Sequence, residues 1–142
     1  MEKFDLRVFE SVENVYFVPP NIKDREAEFI GAWSKLPYKN HIFILSSGTT
    51  SGRSVNSYAI SKDKILLNAK RVNEFLDLNS DDKWACSLPY YHIGGLSIYA
   101  RCWLGKNQYS VYKERWNASN FVNHIFENRS NFTSLVPTQL FD

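Results

Sequence analysis

Short apolar runs alternate with helical stretches from His41 to the end of the chain, and this alternation constrains the fold more than any other feature. The predicted strands cover residues 42–45, 84–88, 108–112 and 132–136. The helices predicted between them cover residues 62–78, 94–104 and 117–127. Strands that alternate with helices over short connections predict an α/β fold with a mainly parallel sheet and flanking helices.

The first forty residues carry a weaker signal. Residues 12–18 are compatible with a short strand that ends at Pro19, and residues 24–36 with an amphipathic helix that ends before Pro37. We therefore expect an N-terminal extension over residues 1–40 and an α/β portion over residues 41–142.

Composition bounds the class of protein. The chain has 142 residues, 44% of them hydrophobic and 23% charged, which predicts a globular domain with one core. The net charge of +2 is spread along the chain, so neither a nucleic acid nor a membrane is an expected partner. The N-terminus has charged residues throughout and no apolar signal segment, so we expect a cytoplasmic protein.

The two cysteines do not predict a disulfide framework or a metal site. Cys86 and Cys102, together with His92, lack the number and spacing of zinc ligands, and cysteine is commonly a small buried residue. No metal ligand is therefore predicted in this chain.

Ligands of parallel α/β sheets bind at the carboxyl ends of the strands. In this sequence those ends are residues 46–54, residues 89–95 and the pair Pro137 and Thr138. The unusual residues of the chain thus fall at one predicted edge of the sheet, where we expect a site.

Residues 46–54 contain four Ser, two Thr and two Gly between a buried strand and a helix. Glycine amides and hydroxyl groups suit a phosphate, although a polar surface turn has a similar composition. The spacing excludes a Walker A loop, a GxGxxG dinucleotide fingerprint and a GxSxG nucleophile elbow.

Three blocks resemble the AMP-forming acyl-CoA synthetases of the adenylate-forming superfamily. The first is the phosphate loop, which reads Ser46, Ser47, Gly48, Thr49, Thr50, Ser51 and Gly52. The second runs from Leu88 to Leu96 around His92, and the third is Val136, Pro137 and Thr138. The residues around His92 resemble those of the o-succinylbenzoate–CoA ligases, which act in the menaquinone pathway. The resemblance covers residues 40–142 and implies part of the N-terminal domain of an adenylate-forming enzyme.

The resemblance implies a function and a set of site residues. The enzymes activate a carboxylic acid with ATP and Mg²⁺ to an acyl-adenylate and then form a thioester with coenzyme A. Residues 46–52 would hold the phosphates of ATP, with Arg53 as a neighbouring cation. The loop Lys of the family is missing, and Asn56 stands about where it belongs.

His92 has two interpretations. It is either a core histidine held by one hydrogen bond or, as the resemblance implies, a residue of the acid pocket. Gly94, Gly95 and Leu96 are then expected as lining, together with Pro137 and Thr138 at the third block. No residue of the chain is assigned with certainty to catalysis.

Three functional hypotheses follow. The first is the N-terminal part of an AMP-forming acid–CoA ligase, inactive alone because the later family motifs do not occur before Asp142. The alternative is a non-catalytic remnant or stand-alone module that binds an anion or nucleotide. The third is a domain that associates with itself or with a separate C-terminal portion.

Overall fold

A computed structural model describes residues 4–46 and 55–142. The phosphate loop predicted over residues 46–54 therefore lies, beyond Ser46, outside the described residues. Within the described ranges no helix is long and apolar enough to cross a membrane.

Helices and strands alternate along the described residues. The strands are β1 (Val15–Phe17), β2 (His41–Ser46), β3 (Asn56–Ser61), β4 (Lys83–Cys86), β5 (Gln108–Val111) and β6 (Phe132–Thr133). The helices are α1 (Glu26–Trp33), α2 (Lys62–Phe75), α3 (Ile93–Gly105), α4 (Ala118–Glu127) and α5 (Pro137–Leu140), with 3-10 turns at Leu6–Phe9 and Pro20–Arg25. The α/β class is confirmed.

The described strands form two sheets of three rather than one sheet. The first has the order β1-β2-β3, with β1 and β2 parallel and β2 and β3 antiparallel. The second has the order β5-β4-β6 and is parallel throughout. Three of the four pairs are therefore parallel, as expected for a mainly parallel α/β protein.

Strand β3 has no counterpart among the predicted strands. Its first four residues are exposed, so the sequence shows neither a buried run nor an alternation of apolar and polar residues. The strand forms because it pairs with β2 along its whole length, from Asn56 opposite Ser46 to Ser61 opposite His41. Pairing with a neighbouring strand, rather than local preference, determines this element.

Helix α3 ends at Gly105, and the residue after it, Lys106, adopts the left-handed conformation with φ 56°. A side chain on Gly105 would collide with Oδ1 of Asn107, so this position requires a small residue for packing. Its conformation is ordinary for a helix.

One core joins the two sheets through α3. The main apolar cluster contains Ile42 and Ile44 of β2, Trp84 and Cys86 of β4, and the buried face of α3. Phe4 belongs to the same cluster, and its ring lies 4.6 Å from the ring of Tyr99. The first forty residues therefore pack against the α/β portion, and the division at residue 40 stays a prediction.

Candidate functional site

The carboxyl end of β2 and the start of α3 face each other across a cavity of about 380 Å³. Its walls come from β2, from β3 and from the first residues of α3: Ile44, Leu45, Tyr58, Ile60, His92 and Ile93. The cavity thus joins the strand that leads into the predicted phosphate loop to the second sequence block.

The antiparallel pairing of β2 and β3 builds one wall. Ile44 lies opposite Tyr58, and Ile42 lies opposite Ile60. Directly opposed residues project from the same face of a sheet, so these four side chains share the face that packs toward α3. Phe43 and Leu45 project from the other face and pack with Trp33, so Leu45 borders the cavity as part of strand β2 and not through the face that packs toward α3.

His92 is the N-cap residue of α3 and lies in extended backbone conformation. Its amide donates to the carbonyl of Pro89 at 3.1 Å, which closes the turn between β4 and α3. Burial lowers the pKa of the imidazole, so the ring is neutral near pH 7. The ring lies 4.9 Å from that of Tyr91, and no described residue hydrogen-bonds it.

The two glycines after His92 serve the packing of the chain itself. A side chain on Gly95 would collide with the carbonyl of Pro89, because the first turn of α3 packs directly against that backbone. A methyl group on Gly94 would lie 3.1 Å from Cδ1 of Leu88. The two glycines therefore allow the turn at Leu88 and Pro89 to pack closely against the first turn of α3.

The remaining predicted pocket residues are not among the described residues that line the cavity. Leu96 is completely buried in the main apolar cluster. Pro137 and Thr138 are exposed and begin α5 at the carboxyl end of β6. Nε2 of Gln139 donates to Oγ of Ser87 at 3.5 Å, which brings α5 to the end of β4. Their assignment to the pocket stays a prediction.

Of the predicted phosphate-binding residues, Ser46 is the one that the structure describes. Ser46 is the last residue of β2, and residues 47–54 lie outside the described part of the chain. Asn56, the residue that stands near the position of the missing family Lys, pairs with Ser46. The structure thus locates both ends of the loop at the cavity edge.

Sequence reasoning missed five of the described lining residues: Ile44, Leu45, Tyr58, Ile60 and Ile93. Ile44 and Leu45 were expected only as buried strand residues, and no signal marked Tyr58 or Ile60. The register between β2 and β3 brings them to the site, and a register cannot be read from one strand alone.

A second cavity of about 440 Å³ lies between β5 and α4 and is polar. There Nε2 of His124 lies 3.1 Å from Oγ of Ser110, a distance that suits a base and a nucleophile. However, Nδ2 of Asn128 donates to the His124 carbonyl and lies 3.3 Å from Nδ1 of the ring. Nδ1 therefore accepts, Nε2 carries the proton, and the ring donates to Ser110 instead of activating it.

Metal chemistry has no support from side chains in the described ranges. Residues 4–46 and 55–142 contain no group of three His, Cys, Asp or Glu placed to hold a metal ion. Cys86 and Cys102 are buried free thiols, and burial raises the pKa of Cys102 to about 12. These thiols are therefore protonated and unreactive at neutral pH.

No protein-family model matches the chain. A curated relative, 2-succinylbenzoate–CoA ligase of Lactococcus lactis, is 29% identical over 97 residues, which are 68% of this chain and 21% of the relative. The chain thus spans about a fifth of the length of this protein.

Solved structures show the same similarity in fold. An o-succinylbenzoate–CoA synthetase of Bacillus subtilis, bound to a product analogue, superposes with a TM-score of 0.60 and 23% identity over 70% of this chain and 20% of that chain. The same enzyme with ATP and magnesium superposes with a TM-score of 0.59 and 20% identity over 71% of this chain and 26% of that chain. ATP-bound MatB of Rhodopseudomonas palustris superposes with a TM-score of 0.57 and 21% identity over 69% of this chain and 19% of that chain. The resemblance indicated by the three sequence blocks is confirmed: this chain resembles the AMP-forming acyl-CoA synthetases, o-succinylbenzoate–CoA ligase among them.

Proposed function

We propose that this chain forms part of the acid-activating domain of an AMP-forming acid–CoA ligase. One observation carries the proposal: an apolar cavity beside His92 adjoins the strand end from which the hydroxyl-rich segment starts. An acid bound in that cavity would have its carboxylate near the phosphates of a nucleotide held by residues 46–53. The reaction requires this proximity of carboxylate and phosphate.

The chain's own residues would orient the acid and exclude water. The walls of β2 and β3 supply apolar contact, and the imidazole of His92, neutral near pH 7, adds no charge to repel or neutralise the acid. ATP would supply the adenylyl group, and Mg²⁺ would balance the charge of its phosphates. Coenzyme A would supply the thiol that becomes the thioester of the product. The solved relatives with ATP, and with ATP and magnesium ion, support the first two.

Exchange of labelled pyrophosphate into ATP tests the proposal. The assay uses the 142-residue chain and the full product of its gene, each with o-succinylbenzoate and with a panel of aromatic acids. We expect acid-dependent exchange by the gene product and none by the chain alone. Absence of exchange with every acid would refute the ligase function.

His92→Asn and His41→Asn form a matched pair for the same assay. His92 lines the cavity, whereas Nδ1 of His41 contacts the carbonyl of Lys39 away from it. We expect the first substitution to raise the KM for the acid several-fold and the second to leave it unchanged. Equal effects would remove His92 from the acid site.

A module that binds an anion or nucleotide without catalysis is the second candidate. The position of Asn56, paired with Ser46 at the cavity edge, favours it, because an amide replaces the cation that the family uses to neutralise phosphate charge. Calorimetric titration with ATP distinguishes the two candidates. Binding by a gene product that shows no exchange would favour the module.

Association with other chains remains a third proposal. Phe126, Leu140 and Phe141 expose 75%, 69% and 86% of their surface, which is unusual for large apolar side chains. Sedimentation velocity tests this, and a monomer at all concentrations would argue against self-association. The expected cytoplasmic location likewise stays a prediction.

A further inference from the structure

Arg101 on α3 differs from the other arginines that the structure describes. Those five arginines are exposed, whereas Arg101 is partly buried against the second sheet. Its Cζ atom lies 5.3 Å from the centre of the Trp84 ring, and its Nη1 donates to Oγ of Ser134 at 3.1 Å. Trp84 is a buried residue of β4, and Ser134 directly follows β6. The guanidinium group is therefore held beside the β6 edge of the second sheet.

No carboxylate neutralises this cation in the described part of the chain. None of the ion pairs found there includes Arg101. Burial lowers the pKa of Arg101, and the opposing effect comes from Cys102 rather than from an acidic residue. Outside the described ranges the sequence has one acidic residue, Glu2. A partly buried guanidinium keeps its charge at neutral pH and is unfavourable without a counter-ion, because burial removes hydration that nothing replaces.

The Arg101 side chain retains donors for such a counter-ion. Its Nε is buried without a partner, as is Nε1 of Trp84. Nη1 uses one of its two protons on Ser134, and Nη2 makes no hydrogen bond to a described residue. The two terminal nitrogens thus offer a planar pair of donors, which matches the two oxygens of a carboxylate. Contact with the Trp84 ring already restricts the guanidinium, so binding would remove little further freedom.

An anion has access to this group from the open edge of the second sheet. Strand β4 pairs with β6 on one side, and no described strand pairs with β6 on the other. Ser134, which follows β6, is partly exposed, as is Arg101. The position also differs from that of the cavity beside His92. Arg101 does not line that cavity and lies roughly 13 Å further along the axis of α3.

We propose that Arg101 and Ser134 form a binding site for a carboxylate group at the β6 edge. Nη1 and Nη2 each donate to one carboxylate oxygen, while Ser134 holds the guanidinium in position. The single positive charge matches the single negative charge of a carboxylate. A small carboxylic acid and an acidic side chain of a second copy of this chain offer the same chemistry. The inference goes beyond the proposed function and does not depend on it.

Titration of the 142-residue chain with sodium acetate tests the site. Sodium chloride at the same ionic strength is the reference, because it reproduces general screening of charge. NMR follows the Nε–H resonance of Arg101 and the indole N–H of Trp84. We expect both to shift with acetate until they saturate. The indole N–H of Trp33, which donates to Ser57, should not respond.

Substitutions identify the groups that bind acetate, with the Trp84 indole as the reporter. Arg101→Lys keeps the charge but loses the planar pair of donors, so it should weaken binding at least about tenfold, as should Arg101→Gln. Ser134→Ala should weaken it several-fold, because Nη1 loses the group that positions it. Arg71→Gln is the control, since Arg71 is an exposed residue of α2 that belongs to no described ion pair. It should bind acetate like the parent chain.

Sedimentation velocity separates the two sources of the carboxylate. A chain that stays monomeric while Arg101 responds to acetate takes a small carboxylic acid at this site. Copies that associate, and that separate on addition of acetate or in Arg101→Gln, supply the carboxylate to one another.

Three results would overturn the inference. The first is an Arg101 resonance that acetate does not shift, in a chain that circular dichroism shows to be folded, or that chloride shifts equally. The second is tighter binding of inorganic phosphate than of acetate, which would contradict the carboxylate assignment. The third is a higher affinity for acetate in Glu2→Gln, which would show that the chain's own Glu2 already occupies the guanidinium.

Discussion

Gly95 shows how a single residue sets the geometry of the candidate site. It lies in the first turn of α3, and a side chain there would collide with the carbonyl of Pro89. Since His92 N-caps the same helix, the fit between this turn and α3 also determines where the imidazole lies. A pair of glycines next to a histidine indicates a close approach, but only the structure shows which backbone approaches.

Gly95→Ala should therefore destabilise the protein. We expect a loss of about 1–3 kcal/mol, because the Pro89 turn must move to admit the methyl group. Gly31→Ala is the matched control, since Gly31 lies in α1 with open space around it and should gain up to about 1 kcal/mol from helix propensity. Urea unfolding measures the stability of both variants. If Gly95→Ala changed the unfolding free energy by the same amount as Gly31→Ala, the packing role of Gly95 would be contradicted.

His124 makes stability depend on pH. Burial, the largest influence, lowers the pKa of the imidazole, and Lys83 acts in the same direction, whereas Glu127 and Glu114 act against it. The unfolded chain therefore binds a proton more readily than the folded one as pH falls below about 6.5. The contribution of neutral His124 to stability is therefore complete above about pH 6.5. It is lost as the pH falls from there to the lowered pKa of the folded state.

The change in unfolding free energy between pH 7.5 and pH 5 tests this effect. We expect a smaller loss of stability in His124→Gln than in the parent chain, because Gln does not titrate and can still donate toward Ser110. His92 contributes a dependence of the same sign, since burial also lowers its pKa. An identical pH profile in His124→Gln would show that the pKa of His124 is the same in the folded and the unfolded chain.

Among the elements, α4 is the one whose start is most clearly readable in the sequence. Asn117 precedes an apolar pattern, and in the structure its side chain accepts from the amide of Asn120 at 2.9 Å. The face of the helix was less readable. Phe121 is buried, whereas the apolar residues Val122 and Phe126 of the same helix are 47% and 75% exposed. The width of an apolar stripe does not show how much of it a sheet covers.

Asn117→Ala should cost about 1 kcal/mol of unfolding free energy through loss of the cap. Asn123→Ala, within the same helix, is the control and should be neutral or slightly stabilising because alanine favours helices. Thermal unfolding of the two variants side by side is the measurement. A loss of similar size in both would argue against the cap.

At the scale of the whole molecule, the two sheets share one core. Phe4 packs with Phe17 of β1, in the first sheet, and with Tyr99 on α3, at ring separations of 5.6 and 4.6 Å. Tyr109 of β5 also donates to the Phe4 carbonyl at 3.2 Å. A residue near the N-terminus thus joins parts of the molecule that are distant in the chain.

Phe4→Ala should destabilise the molecule as a unit. Removal of this buried ring should cost about 3–5 kcal/mol, and urea unfolding should remain a single transition by circular dichroism and tryptophan fluorescence. Phe75→Ala is the control, because Phe75 is 87% exposed and should change stability by less than about 0.5 kcal/mol. Separate transitions for the two probes would show that the sheets unfold independently.

The sequence by itself determined the class of fold, the positions of most elements and the three blocks that resemble acyl-CoA synthetases. These features are local: an apolar run, a cap and a short motif each lie within a few residues, where periodicity and residue type carry the information. The tertiary structure decided which residues meet. The edge strand β3, the two-sheet arrangement and the cavity walls at Tyr58 and Ile60 depend on pairing with β2, and their residues have no local signal. Register and packing join residues far apart in the chain, so only the folded molecule shows that an apolar cavity lies beside His92.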